Sequence, residues 1–304
     1  MKKSNVFRTS RFLIPSIAIF LSWNLVGAAA SVSFDPNFFW TKNEITSHEL
    51  VEKIDTYNSM INWTTGKVRT EIALTIKLGN PNIGQLFSAY SEEIREQLRQ
   101  NLIKALGYLR ISAIFSLKDY YSQKNDIRFE IIDRVDSAFY YPPVQKNNQF
   151  HGIAELNLYG KDGLATLFYR DIEGVALPTN YPSSSSSEYY DSIIIDTLIF
   201  KEFNPSIEMR IYDQDGRLLY GPEIVDKKVL NEKGICEFTT SLSYAFKSQR
   251  SGTKILYIMP IEVKGKSGTD LIIHNDDAAK IMANPLSVKA LKQAQIVVVK
   301  PEYN

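Results

Sequence analysis

The chain of 304 residues has one cysteine, Cys236, and three histidines, His48, His151 and His274. A single thiol excludes an intramolecular disulfide, so the fold rests on its core. Cys236 lies in the alternation Ile235, Cys236, Glu237, Phe238 and reads as a small buried hydrophobe. The histidines form no i, i+4 pair and have no cysteine beside them, which leaves a zinc site without a recognisable motif. A charge excess of either sign is also missing, with 35 basic and 34 acidic residues. A nucleic-acid binder needs a clustered basic surplus, so nucleic acid is not an expected partner. No Gly-x-Ser-x-Gly elbow is present to raise a serine nucleophile.

What is present begins at the N-terminus. Lys2, Lys3, Arg8 and Arg11 precede an apolar run from Phe12 to Val26, and Gly27, Ala28, Ala29, Ala30 and Ser31 follow. A basic start, a short apolar core and a small-residue site together describe a secretory signal peptide over residues 1–30, cleaved near Ala30. The run is 15 residues long, and a spanning helix needs about 20. A soluble product without a transmembrane span after cleavage is therefore expected, periplasmic or secreted. Removing residues 1–30 leaves 31 basic and 34 acidic residues, a formal charge of −3.

The clearest internal break is Pro182–Ser187, five consecutive serines behind a proline. Such a run cannot build a core and suits a link. The expected organisation is an α+β domain over 31–181, a Ser-rich linker over 182–188, and a strand-rich α+β domain over 189–304. Upstream, Ser33–Trp40 carries Phe34, Phe38, Phe39 and Trp40, an aromatic arm suited to packing on the body. Thr46–Met60 reads as a helix capped by Thr46 or Ser47 with Glu49 behind. Val68, Thr70, Ile72, Leu74 and Ile76 alternate with Arg69, Glu71, Thr75 and Lys77, the pattern of a half-buried strand. Gly79–Asn82 breaks it.

One long amphipathic helix is predicted over Ile83–Lys118, with Phe87, Tyr90, Ile94, Leu98, Leu102, Ala105 and Leu109 as its apolar stripe. Gly107 marks its bend or end. Asp126–Val135 reads as a strand, and 151–159 with 164–169 reads as a hairpin around Gly160–Gly163. In the second half, 191–199 reads as a strand buried on both faces. Hairpins are expected around 213–216 and 264–268. Short helices capped by Asn275 or Asp276, and over 286–294, precede a closing strand at 296–299. The fold class is α+β with mixed and antiparallel sheets, one long amphipathic helix and two subdomains.

Several motifs approach a known chemistry and stop short. Pro260–Ser267 ends in Gly265, Lys266 and Ser267 but lacks the first glycine of a phosphate-cradling loop, and a strand follows instead of a helix. Asp213–Gly216 alternates acids like a calcium loop. Its glycine comes too early, and Arg217 stands where a ligand belongs. His274, Asp276 and Asp277 form an acid-base cluster that helix capping explains. Asn62-Trp63-Thr64 matches the N-glycosylation sequon. Tyr140, Tyr141, Tyr181, Tyr189 and Tyr190 cluster in sequence around the prolines and the serine run, suited to an interface, a sugar site or the seam between the halves. No residue is singled out as catalytic, cofactor-binding or metal-ligating, and no cofactor is expected.

The second half resembles a family of secreted envelope proteins from Gram-negative-type bacteria that overlaps the flagellum-associated outer-membrane lipoproteins. The residues carrying the resemblance are Ile194-Ile195-Asp196, Asn204-Pro205-Ser206, Arg210 to Gly216, Tyr220-Gly221, Asn275 to Ile281 and Val297-Val298-Val299. It spans about 110 residues. The lipid-carrying cysteine of many relatives is absent at the cleavage point, and the resemblance implies no catalytic residue. The expected function is that of a non-enzymatic periplasmic or cell-envelope protein. It would act through protein-protein assembly with envelope or periplasmic partners, in a motility-related or outer-membrane structure. The alternative is a secreted hydrolase or glycan-binding protein with an unrecognised carboxylate site.

Overall fold

In the computed structural model, residues 45–76, 83–123, 125–179, 181 and 188–303 are described. The leader at 1–30, the aromatic arm at 33–40, the breaker at 79–82 and linker residues 182–187 lie outside them. The first sheet has six strands: β1 (Val51–Ile54), β2 (Ser59–Asn62), β3 (Lys67–Thr75), β4 (Phe139–Tyr140), β5 (Val144–Lys146) and β6 (Gln149–Asn157). Its order is β1-β2-β3-β6-β4, with β5 also on β6, and every pairing is antiparallel. The long helix α1 (Ile83–Leu106) covers one face. Ile94, Leu98, Leu102 and Ala105 of the expected stripe are buried. Gly152 of β6 makes room for them, since a Cβ there would collide with Ile94 and come within 3.1 Å of Leu98 Cδ1.

Four local expectations in this half are corrected. Thr46 and Glu49 do form the capping contacts, with the Thr46 hydroxyl donating to Glu49 Oε1 at 2.8 Å. The chain then enters β1 and a one-turn 3-10 helix at Asp55–Tyr57 instead of an α-helix, because Leu50, Ile61 and Trp63 bury better in a sheet than on a stripe. The long helix ends at Leu106, and α2 (Leu117–Gln123) is separate. Residues 126–135 form α3 (Asn125–Asp136) and not a strand. Ile127, Ile131 and Val135 recur every fourth position and are buried, while Phe129 is exposed. That is a helical period. The expected hairpin after Gly163 is also replaced, by the short helix α4 (Thr166–Tyr169). Leu167, Phe168 and Tyr169 are buried in succession, which an alternating two-faced strand does not do.

β3 departs from the half-buried reading. Its second face is closed at the centre, where Glu71 and Ala73 are buried. Glu71 meets Arg69 in an ion pair at 2.7 Å, the condition under which a buried charge is tolerated.

The second half contributes two sheets. One is wholly parallel, in the order β10-β14-β7-β11, and comprises β7 (Ser192–Asp196), β10 (Glu237–Thr239), β11 (Ile255–Ile258) and β14 (Ile296–Val299). The unbroken apolar runs of β7 and β14 suit strands covered on both faces. The other sheet, β12-β13-β8-β9, holds β8 (Ile211–Asp213), β9 (Leu218–Tyr220), β12 (Glu262–Lys264) and β13 (Asp270–Ile273). The hairpins β8-β9 and β12-β13 are those expected, turning at Gly216 with φ 79° and at Gly265 and Gly268 with φ 88° and 62°. Helices α5 (Lys227–Lys233), α6 (Leu242–Ala245), α7 (Asn275–Met282) and α8 (Pro285–Lys292) join the strands. Neither Asn275 nor Asp276 caps α7, whose N-cap position is His274 with no side-chain cap bond. Asn284 caps α8 by accepting from Leu286 N–H at 2.9 Å.

One hydrophobic cluster runs from Leu50 and Ile72 through Leu98 and Tyr169 to Phe203, Phe238 and Val298. It therefore includes residues on both sides of the serine run. Polar contacts stitch the same join. Thr64 Oγ1 donates to the Phe238 carbonyl at 2.6 Å and accepts from Leu50 N–H at 2.8 Å. Thr239 Oγ1 donates to the His48 carbonyl at 2.7 Å, and Thr240 N–H donates to it at 3.0 Å.

Gly152→Ala is expected to destabilise the protein by about 1–3 kcal/mol through overpacking under α1. Urea unfolding checks it: the midpoint should fall with an unchanged slope, and an unchanged midpoint contradicts tight packing at this position.

Candidate functional site

The sequence motifs resolve into structural roles. Asp213 is fully buried in the β8-β9 turn, and its carboxylate accepts from the N–H groups of Asp215 and Arg217 at 3.0 and 2.8 Å. Arg217 Nε at 2.5 Å and the Tyr181 hydroxyl complete its shell. Burial pushes this carboxyl up, but these donors outweigh it and hold the group below its ordinary value. An oxygen already ringed by protein donors is a turn anchor, not a cation ligand. Gly265 and Ser267 lie in the β12-β13 turn, where Ser267 N–H donates to the Ala113 carbonyl at 2.9 Å.

The histidines are separated. His48 stacks on Tyr244 with centroids 3.7 Å apart, His151 is buried in β6, and His274 is exposed at the N-cap of α7. His274 makes no side-chain cap, and Asp276 and Asp277 lie in the first turn, where acids complement the helix dipole. Among the described residues, no three side chains of His, Cys, Asp or Glu are arranged to hold a metal ion. Cys236 is buried, and burial pushes its thiol up. Asn62 of the sequon is buried, its amide donating to Glu49 Oε2 at 2.5 Å and accepting from Thr65 N–H at 3.0 Å.

The tyrosines do not gather. Tyr140 lies under Arg95, 4.4 Å from centroid to guanidinium, and donates to the Val135 carbonyl. Tyr141 donates to Glu155 at 2.5 Å. Tyr181 serves Asp213, and Tyr189 lies 3.9 Å from Lys254 Nζ.

Two features were not singled out in the sequence. The first is an acid cluster around Arg210. Glu223 Oε1 accepts from Arg210 Nε and Nη2 at 2.9 and 2.6 Å. Glu208 lies 3.4 Å from Nη2, and Asp270 accepts from the Arg210 backbone N–H at 3.1 Å. Two carboxylates share the guanidinium, and the third meets the backbone of the same residue. Burial, partly countered by Arg210, pushes Glu208 up to about 7, and burial also raises Asp270. A carboxyl that titrates near neutrality is a mark shared by catalytic acids and structural ion networks. Glu223, but not Glu208, lines the adjacent cavity of about 340 Å³. Asp226 also lines it, and it accepts from Gln293 Nε2 at 2.5 Å.

The second feature is apolar and exposed. Beyond the C-terminal ends of β7 and β11 stand Leu198, Ile199, Met259 and Ile261, beside Phe246 and Tyr257. Ile199 is 67% exposed. Tyr257 pairs in register with Ile194, donates to Asp196 at the end of β7, and stacks on Phe246 at 6.3 Å. These contacts and the parallel register place the six side chains at one end of the sheet. The sequence signal was faint, since Leu198 and Ile199 read as the tail of a buried strand.

This fold is an α+β protein with a parallel four-stranded sheet in its second half. Residues 192–302, from the first residue of β7 to just past β14, match the family model described as Treponema pallidum Tp0624, second domain. No curated protein matches the chain. Among the described residues, no helix is long and apolar enough to cross a membrane.

Glu208 generates a pH prediction. Its folded value, about 7, lies above its ordinary 4.5, so the folded state holds the proton longer. The stabilisation is present below pH 4.5 and lost as pH rises through 7. Each tenfold difference in proton affinity between the folded and unfolded states is worth about 1.4 kcal/mol. Relative to wild type, Glu208→Gln should therefore gain about 3 kcal/mol of unfolding free energy across that window. Urea denaturation of both proteins at the two ends measures it, and parallel stability curves would contradict it.

Proposed function

We propose that the protein is a non-enzymatic component of the bacterial cell envelope that works by assembly with another envelope protein. The carrying observation is the contrast between the two edges of the parallel sheet. The β10 edge is covered, since Thr239 and Thr240 bond to residues 47 and 48. At the other end, among the described residues, β11 pairs only with β7. An open edge presents unpaired N–H and C=O groups, and natural proteins normally blunt it with charge, proline or a bulge. β11 reads Ile-Leu-Tyr-Ile without a charge, and the apolar side chains of residues 198, 199, 246, 259 and 261 extend beside it.

The occupant that fits is an extended apolar segment of a partner protein added to β11. Main-chain hydrogen bonds would supply affinity and the flanking side chains specificity. The leader-like residues 1–30 support export to the periplasm or the cell exterior. The resemblance of the second half to secreted envelope proteins, overlapping flagellum-associated outer-membrane lipoproteins, supports a motility- or outer-membrane-related partner.

A photo-crosslinking residue placed at Ile199 in cells tests this. One envelope protein should be captured there and not from Glu232, an exposed position on α5. Met259→Glu should cut the adduct about tenfold, the equivalent of 1.4 kcal/mol. Equal capture from both positions, no adduct, or a second copy of this chain as the only adduct would contradict the reading.

A further inference from the structure

A groove of about 910 Å³ opens between the C-terminal half of α1, α2, α3 and the 3-10 turn at Asp55–Tyr57. It lies away from β11 and is independent of the assembly surface. Its walls carry Tyr57, Tyr108 and Tyr121 with Lys104, Lys118 and Arg128. Its volume falls within the range of about 300–1,000 Å³ typical of small-molecule sites.

The aromatic side is arranged and accessible. Tyr57 and Tyr108 meet edge to face with centroids 6.1 Å apart at 67°, and Tyr108 is 48% exposed. The Lys104 ammonium sits 5.8 Å from the Tyr57 centroid. Such rings offer flat apolar faces with polar tips.

The polar side is electropositive. None of Lys104, Lys118 and Arg128 forms an ion pair among the described residues. The acid in the lining, Asp119, is already engaged. Its Oδ2 accepts from both the N–H and the hydroxyl of Ser116 at 2.7 Å, and these bonds hold it below the usual carboxylate range. Asp119 stays ionised beside Lys118, so among the described lining residues three cations outnumber one carboxylate.

A third observation is independent of charge. Tyr121 lines the groove, and its hydroxyl is buried with no hydrogen-bond partner among the described residues. Burial pushes its phenol up to about 12, so it stays protonated and can donate. A buried hydroxyl without a partner carries a free-energy cost that a ligand oxygen would relieve.

We propose that this groove binds an anionic saccharide. A sugar ring would lie against Tyr108 and Tyr57, its acidic group would sit among Lys104, Lys118 and Arg128, and an oxygen would take the Tyr121 hydroxyl proton in a hydrogen bond. Both features are needed together. A neutral sugar leaves the cations unanswered, and a bare anion leaves the rings unused. Nucleic acid fits poorly, since three cations on a body of formal charge −3 do not make a phosphate track.

Calorimetric titration of the exported protein tests the proposal with four probes: tetragalacturonate, a tetrasaccharide phosphate, neutral cellotetraose and inorganic phosphate. The first two separate a carboxylate source from a phosphate source of the same charge. At least one acidic saccharide should bind about tenfold or more tighter than cellotetraose and inorganic phosphate. Tyr108→Ala and Lys104→Ala, both at exposed positions that leave the core intact, should each weaken it about tenfold, and raising salt should weaken it further. Tyr121→Phe should weaken it less, about three- to tenfold, as expected for one hydrogen bond. Equal binding of cellotetraose, equal binding of inorganic phosphate, insensitivity to Tyr108→Ala, or no saccharide heat at all would each overturn it.

Discussion

The join between the first sheet and the second half of the chain centres on one half-buried guanidinium. Arg110 follows the long helix and reaches into the join between the first sheet and the second half of the chain. It grips Glu52 of β1 through both carboxylate oxygens, one at 2.9 Å. Its Nε donates to the Pro205 carbonyl at 3.0 Å, and Nη2 donates to the Tyr303 hydroxyl at 3.0 Å. Trp63 Nε1 donates to the same Glu52 at 3.0 Å, and its ring lies 5.6 Å from the guanidinium. Beside them Lys300 is buried, its ammonium 4.5 Å from the Tyr303 ring, and burial together with Arg110 holds its pKa down. Removing one partner of such a pair leaves the other charge half-buried and without its ion-pair partner, which destabilises the join.

That contact ties β1 to the loop at Pro205 and to Tyr303 near the end of the chain, on either side of β7 and β14 in sequence. Residues 47, 48 and 64, which flank β1 and β2, close the β10 side through Thr64, Thr239 and Thr240. No comparable segment among the described residues reaches β11. The polar knot at one side of the parallel sheet and the apolar surface at the other are two outcomes of one arrangement. The Arg210 cluster adds Glu208, pushed up to about 7 by burial, which ties stability to the pH of the compartment.

Much of the fold was legible where a pattern was long or a turn chemically marked. The stripe from Ile94 to Ala105, the glycine turns at 216 and 265–268, and the valine run at 297–299 all carry short-range signals. Residues 126–135 misled because isoleucines at 127, 131 and 132 suit either period, and only burial against α1 decides. Parallel pairing was invisible, since β7 and β14 are separated by about a hundred residues and meet only through tertiary packing. The surface around Ile199 was masked for the same reason: an apolar residue at a strand end reads as core until its neighbours are known. The groove residues Lys104 and Tyr108 lay in a stretch read as one helix, and Tyr121 lies three residues beyond its expected end. The break at Gly107 turned them towards a shared space.

The most direct test of Arg110 as the common anchor is amide hydrogen exchange, followed by mass spectrometry, on wild type and Arg110→Met. Peptides from β3 and from β14 are expected to lose protection by the same free energy, because both sheets open together once the anchor is gone. Loss of protection confined to β1–β3, with β7 and β14 unchanged, would contradict it.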